Sequence, residues 1–137
     1  MCVGCIDEGV RALKRVLVID DEPSVADALR VILEDEGFAV VVAASGREGI
    51  EQARRLAFNV TITDLRLPDM DGLAVLGAFR EDGVGGAAIL ITSYGTPEIF
   101  ARALDLGAVG FISKPFLPSD ILRLITAALE GSAACDP

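Results

Sequence analysis

The chain has 137 residues, enough for one domain with its own core and little room for a second. It is 52% hydrophobic and only 24% charged, which argues against a disordered chain. The formal net charge of −9 repels phosphate backbones, so direct nucleic-acid binding is not expected.

The first apolar run, Val16-Leu17-Val18-Ile19, ends at Asp20-Asp21. Residues 22–36 then carry Val25, Ala28, Leu29, Ile32 and Leu33 at helical spacing, and Gly37 is a natural stop. A second apolar run covers 38–44. Ser45 with Glu48 three residues on predicts a capping box, and the helix it starts should present Ile50, Ala53, Leu56 and Ala57 on one face. The third run, 58–63, ends at Asp64. A loop with Pro68 leads to Asp71, a turn and cap residue before Gly72, and then to a helix bearing Leu73, Leu76 and Phe79. A glycine-rich turn at 83–86 precedes the fourth run, 88–91, which ends at Thr92-Ser93. Thr96-Pro97 starts a helix with Ile99, Ala103 and Leu106 inside, stopped by Gly107. The fifth run, 109–112, ends at Ser113-Lys114-Pro115. The last helix, about 118–129, should bury Ile121, Leu124, Ile125 and Ala128.

Five β–α units of this kind predict an α/β fold, a doubly wound five-stranded parallel sheet. The strands read as continuous apolar runs, so both sheet faces are expected to be covered. The core should be aliphatic, because the chain has no Trp, one Tyr and six Phe. The domain is placed at residues 15–131, with an N-terminal extension at 1–14 and a tail at 132–137. The N-terminus lacks a long apolar run, and no segment approaches the ~20 apolar residues of a membrane span. A cytoplasmic protein without membrane attachment is the expectation. Cys2, Cys5 and Cys135 all lie near the ends. A zinc site from the Cys2/Cys5 pair would want further Cys or His ligands, and the chain has no His, so these are read as incidental thiols.

Sheets of this type place their sites at the carboxyl ends of the strands. Those ends carry Asp20 and Asp21 on strand one, Asp64 on strand three, Thr92 and Ser93 on strand four and Lys114 on strand five. In the flavodoxin-like order 2-1-3-4-5, strands one and three are neighbours, which brings the three aspartates together. Such a cluster must shift its pKa values or bind a cation. Oxygen donors without His or Cys favour Mg²⁺, Mn²⁺ or Ca²⁺. A cation, a lysine, a hydroxyl and a nucleophilic carboxylate together suit phosphoryl transfer.

The stretches Val16–Glu22, Asp64-Leu65-Arg66-Leu67-Pro68-Asp69-Met70-Asp71-Gly72, Ile91-Thr92-Ser93-Tyr94-Gly95 and 107–116 together resemble the receiver domain of bacterial two-component response regulators. The resemblance covers about residues 14–129, and nitrogen-regulatory receivers look most similar. It implies that Asp64 is the phosphoacceptor. Asp20, Asp21, Asp64 and the Arg66 backbone carbonyl would hold Mg²⁺ or Mn²⁺. Thr92 and Lys114 would meet the phosphoryl group, with a cis Lys114–Pro115 bond aiming the lysine inward. Thr92 and Phe111 would form the conformational switch, with Phe standing where many relatives have Tyr. Arg66 and Tyr94 would flank the hydrolytic water. The donor would be a sensor histidine kinase or a phosphotransfer protein. The output would be a partner protein or an effector domain outside this chain, and a phosphorylation-dependent homodimer is admitted. The domain would not be a turnover enzyme beyond accepting and slowly losing its own phosphoryl group. Phe100, Phe111, Phe116, Leu117 and Leu122 are apolar contact candidates.

Two rivals fit less well. An aspartate-nucleophile phosphatase of the haloacid dehalogenase type wants an Asp two residues after its nucleophile, where Asp64 is followed by Arg66 and Asp20 by Glu22. A flavodoxin-like cofactor binder wants a phosphate-accepting first loop, and Asp20-Asp21-Glu22-Pro23 would repel one.

Overall fold

Runs of Val and Ile favour extended backbone, because branching at Cβ suits a pleated surface. In this computed structural model, which describes residues 14–134, those runs form β1 (Arg15–Ile19), β2 (Ala39–Ala43), β3 (Val60–Asp64), β4 (Ala87–Thr92) and β5 (Ala108–Ser113). Between and after them lie α1 (Pro23–Asp35), α2 (Gly46–Arg55), α3 (Gly72–Asp82), α4 (Pro97–Asp105) and α5 (Pro118–Ala134). Cys2, Cys5 and Cys135 fall outside the described residues.

All strand pairs are parallel, in the order β2-β1-β3-β4-β5. The α/β doubly wound flavodoxin-like architecture is therefore as expected. Alternate residues of β1 point to opposite faces. Val16 and Val18 pack with Leu29 and Leu33 of α1 and with Ile121 and Ile125 of α5. Leu17 and Ile19 pack with Ala53 of α2 and with Val75 and Phe79 of α3. A third cluster joins Leu90 of β4 to Leu73 and Leu76 of α3 and Ala103 of α4. Thr61 and Thr63 on β3 are buried with their hydroxyls donating to Gly85 O at 2.7 Å and Asp64 O at 3.0 Å, which meets the requirement that buried polar groups be paired.

The caps follow the sequence reading. Ser45 Oγ accepts from Glu48 N, Asp71 Oδ1 from Ala74 N and Thr96 Oγ1 from Ile99 N. The capping box closes one residue early, with Glu48 Oε1 accepting from Ala44 N at 2.8 Å rather than from Ser45 N. Gly37 and Gly107 end α1 and α4 with positive φ, as expected.

Four expectations are corrected. First, only the central strands β1, β3 and β4 are covered on both faces. The edge strands β2 and β5 stay partly open, with Val42 and Val109 exposed, because helices cover only their inner flank. Second, α2 stops at Arg55, so Leu56 and Ala57 leave its apolar face and are exposed. The chain there must turn extended to bury Phe58 and to dock Asn59, whose N donates to Arg15 O and whose Oδ1 accepts from Arg15 N, both at 2.9 Å. Third, α4 buries only Ala103 fully, and Ile99 and Leu106 are half-buried. Fourth, α5 runs past residue 129 to Ala134, because the alanine-rich end has good helix propensity despite Gly131. Leu124 and Ala128 on it are half-buried.

Candidate functional site

The pairing β1–β3 sets Ile19 opposite Thr63, so the residues that follow each strand emerge side by side. Asp20, Asp21 and Asp64 each place a carboxylate oxygen within 4.8 Å of the others. Asp20 and Asp64 are buried and Asp21 is exposed. Gly72 makes this close packing feasible. A Cβ there would lie 2.5 Å from the Asp64 carbonyl oxygen, and its N donates to Leu65 O at 2.6 Å.

Lys114 follows β5 and is the cation of the site. Its backbone N donates to Thr92 O at 2.9 Å, which fixes it beside β4. Its Nζ lies 3.0 Å from Asp64 Oδ2, 3.1 Å from Glu22 Oε1 and 3.2 Å from Asp20 Oδ2. Burial alone would lower its pKa. Hydrogen bonds to Asp64 and Glu22 and the negative charges of Asp20 and Asp64 outweigh that and hold it above the usual lysine value. The Lys114–Pro115 peptide is cis, as expected.

Asp20 shows the cost of the crowding. Its Oδ1 accepts from Glu22 N at 2.9 Å, while its buried Oδ2 has no aligned hydrogen-bond donor. Burial, reinforced by the Asp64 charge, raises its pKa. The Glu22 N–H and Lys114 pull the other way and do not cancel the rise. Asp64 receives Lys114 on Oδ2 and a long 3.4 Å contact from Arg66 N on Oδ1. Thr92 is buried, and its Oγ1 accepts from Tyr94 N at 3.1 Å, which leaves the hydroxyl proton free to donate.

These groups open on a cavity of about 290 Å³ lined by Asp21, Glu22, Asp64, Arg66, Thr92, Ser93, Tyr94 and Lys114. At its rim the Arg66 guanidinium sits 5.4 Å from the Tyr94 ring centroid, a cation–π contact, with Tyr94 69% exposed. Phe111 is half-buried on β5, its ring 4.6 Å from that of Phe100 on α4. Among the apolar contact candidates only Leu117 is exposed. Phe100, Phe111, Phe116 and Leu122 are half-buried, shared between core and surface.

Two participants were not singled out from the sequence. Glu22 reads there as the start of a loop, yet its carboxylate holds Lys114. Asp69 reads as one more polar residue of the loop after Asp64. Its Oδ1 accepts from Gly46 N and its Oδ2 from Arg47 N, each at 2.9 Å, and these bonds from Arg47 and then Gly46 lower its pKa. No local pattern announces either contact, since the partners lie 92 and 22–23 residues away.

Comparison with known proteins agrees with this geometry. The family model of the response regulator receiver domain matches residues 16–126. The transcriptional regulatory protein KdpE of Mycobacterium tuberculosis is 38% identical over 120 residues, covering 87% of this chain and 52% of that protein. The crystal structure of a CheY-like receiver domain protein from Methanospirillum hungatei has a TM-score of 0.83 at 35% identity, covering 89% of this chain and 98% of that one. The beryllofluoride-activated NtrC4 receiver domain dimer has a TM-score of 0.82 at 35% identity, covering 87% and 98%. The chain spans about half the length of transcriptional regulators such as KdpE and DltR. Sequence, fold and strand-end residues thus converge, and the chain belongs to the response regulator receiver domain family of two-component systems.

Proposed function

We propose that Asp64 accepts a phosphoryl group from a phosphohistidine on a partner protein, with Mg²⁺ or Mn²⁺ bound beside it, and that this changes a protein-contact surface. The observation that carries the reading is the cluster of three carboxylates, Asp20, Asp21 and Asp64, whose oxygens lie within 4.8 Å of one another, two of them buried and both paired to the same lysine, Lys114. Three crowded carboxylates that share a single lysine carry more negative charge than it neutralises, and such a set of hard oxygen donors fits a divalent cation. Asp20, Asp21, Asp64 and the Arg66 carbonyl would hold it, and when bound it neutralises charge on the phosphoryl oxygens.

The chain's own residues divide the remaining work. An Asp64 carboxylate oxygen attacks phosphorus, the P–N bond breaks, and its electron pair leaves with the imidazole nitrogen. Lys114, already 3.0 Å from Asp64, pairs with a phosphoryl oxygen, and the free Thr92 proton donates to another. Movement of Thr92 toward the phosphoryl group opens space for Phe111 to turn inward. Helix α4 is suited to follow, because Ala103 is its single fully buried side chain. The acyl phosphate is then lost slowly to water passing the Arg66–Tyr94 pair, without turnover of a separate substrate.

The donor is a sensor histidine kinase or phosphotransfer protein in the cytoplasm. No helix among the described residues is long and apolar enough to cross a membrane. One relative is named DNA-binding response regulator MtrA and others transcriptional regulatory protein, and this chain spans about half their length, which supports an output through an effector domain or separate protein. The NtrC4 receiver dimer supports a phosphorylation-dependent homodimer as one output state.

The test is intact-mass analysis after incubation with acetyl phosphate and Mg²⁺, beside Asp64→Asn and a chelated control. One added phosphoryl group that requires both Asp64 and the metal is expected. No adduct, together with no binding of beryllium fluoride, would overturn the reading.

A further inference from the structure

We infer that Asp69 is a positioning residue that clamps the loop after Asp64 to the first turn of α2 and so holds the Arg66 carbonyl in place. The metal-related part of this inference rests on the proposed function.

Helix α2 begins with backbone N–H groups that have no partner inside the helix. The side chain of its N-cap, Ser45, takes only the Glu48 N–H. The Gly46 and Arg47 N–H groups are taken by the two oxygens of one carboxylate, Asp69, from a different element. The two segments are also pressed together. A Cβ on Gly46 would lie 2.4 Å from Cγ and 2.7 Å from Sδ of Met70, the next residue of the loop, and 3.1 Å from Val75.

Among the described residues the rest of the loop makes no hydrogen bond to α2, although Leu65 N donates to Ile91 O on β4 and the Arg66 guanidinium meets the Tyr94 ring. Gly72 N donates to Leu65 O, Arg66 bridges Asp71, and Asp71 caps α3. Asp69 is thus the polar tie that reaches across to α2, three residues from Arg66. Its carboxylate stays charged at neutral pH, since the same two N–H bonds depress its pKa. A loop that has lost its polar tie to α2 is freer to rotate its carbonyls, and groups that orient metal ligands commonly matter about 10- to 100-fold in affinity. Asp69 acts one step further out, so a smaller effect is expected.

The experiment compares the full chain with Asp69→Ala, Asp69→Asn and Ser45→Ala. Mg²⁺ is titrated by fluorescence of Tyr94, the one tyrosine in a chain without tryptophan, which lines the cavity. Asp69→Ala should weaken Mg²⁺ binding about 5-fold, and Asp69→Asn, which keeps one acceptor oxygen, should fall between it and wild type. Ser45→Ala uncaps α2 without touching the loop and should leave the affinity within about 2-fold. Unchanged affinity in Asp69→Ala, or an equal loss in Ser45→Ala, overturns the clamp.

Amide hydrogen exchange in metal-free protein supplies a second readout. Asp69→Ala should speed exchange at Gly46 and Arg47 and also at Gly72, whereas Ser45→Ala should leave Gly72 unchanged. If wild type binds no Mg²⁺, the proposed function fails, and the Gly72 exchange alone decides the clamp. Unaltered Gly72 exchange in Asp69→Ala refutes it.

Discussion

Lys114→Met removes the one cation among three carboxylates while keeping a similar apolar stem. The lysine side chain is 11% exposed, and those of Asp20 and Asp64 are 0% and 8% exposed, so these two pairs are desolvated. Opposite charges about 3 Å apart attract by roughly 5 kcal/mol at an effective dielectric of about 20, and much of that offsets desolvation. The Glu22 pair is 58% exposed on the acid side and adds little. Losing one partner of a buried pair costs about 3–5 kcal/mol. Asp64 lines an open cavity, where water reaches it once the ammonium is gone, so the low end, about 3 kcal/mol, is expected without metal. For a domain of this size that is a fall in Tm of roughly 10 °C. Mg²⁺ at about 100 times its Kd returns roughly 2.7 kcal/mol, and it should bind the variant more tightly because no ammonium competes for the same oxygens. Urea unfolding followed by circular dichroism, with chelator and with Mg²⁺, measures both effects. A metal-free loss below about 1 kcal/mol, or a variant that Mg²⁺ stabilises no more than wild type, would refute the view that Lys114 is the counter-ion of this cluster.

Three further outcomes are expected. Gly72→Ala should destabilise by about 1–3 kcal/mol and weaken Mg²⁺ binding, because its new methyl meets the Asp64 backbone at 2.5 Å; equilibrium unfolding and metal titration check it. Leu29→Ala, which removes a fully buried side chain between α1 and the sheet, should cost about 2–5 kcal/mol in chemical denaturation without altering phosphoryl uptake per folded molecule. The stability gap between wild type and Asp69→Ala should close in acid. A carboxylate whose folded pKa is depressed stabilises above the ordinary value of 3.8 and loses that contribution as pH falls through the lower folded value, so unfolding midpoints from neutral pH down to below 3.8 should converge only at the acid end.

The sequence alone determined whatever is local. Branched aliphatic runs specified the strands, 3.6-residue periodicity specified the helices, and Ser45, Asp71 and Thr96 capped where they were read, because a cap depends on a residue and the next three. Parallel β–α alternation then brings the strand ends together, so Asp20, Asp21, Asp64, Thr92 and Lys114 are legible as one site from the order of the elements. Tertiary structure alone decided the rest. Periodicity kept Leu56 and Ala57 on the helix, but docking of Asn59 onto β1 pulled the chain extended. Edge strands cannot be told from central ones by their apolar runs, and β2 and β5 were left partly open by where the helices ended. Glu22 on Lys114, Asp69 on α2 and Phe100 against Phe111 join residues distant or separated by a turn of the fold. Such pairs are selected by three-dimensional proximity and by the need of buried donors, acceptors and charges for partners, and neither leaves a periodic mark on the chain.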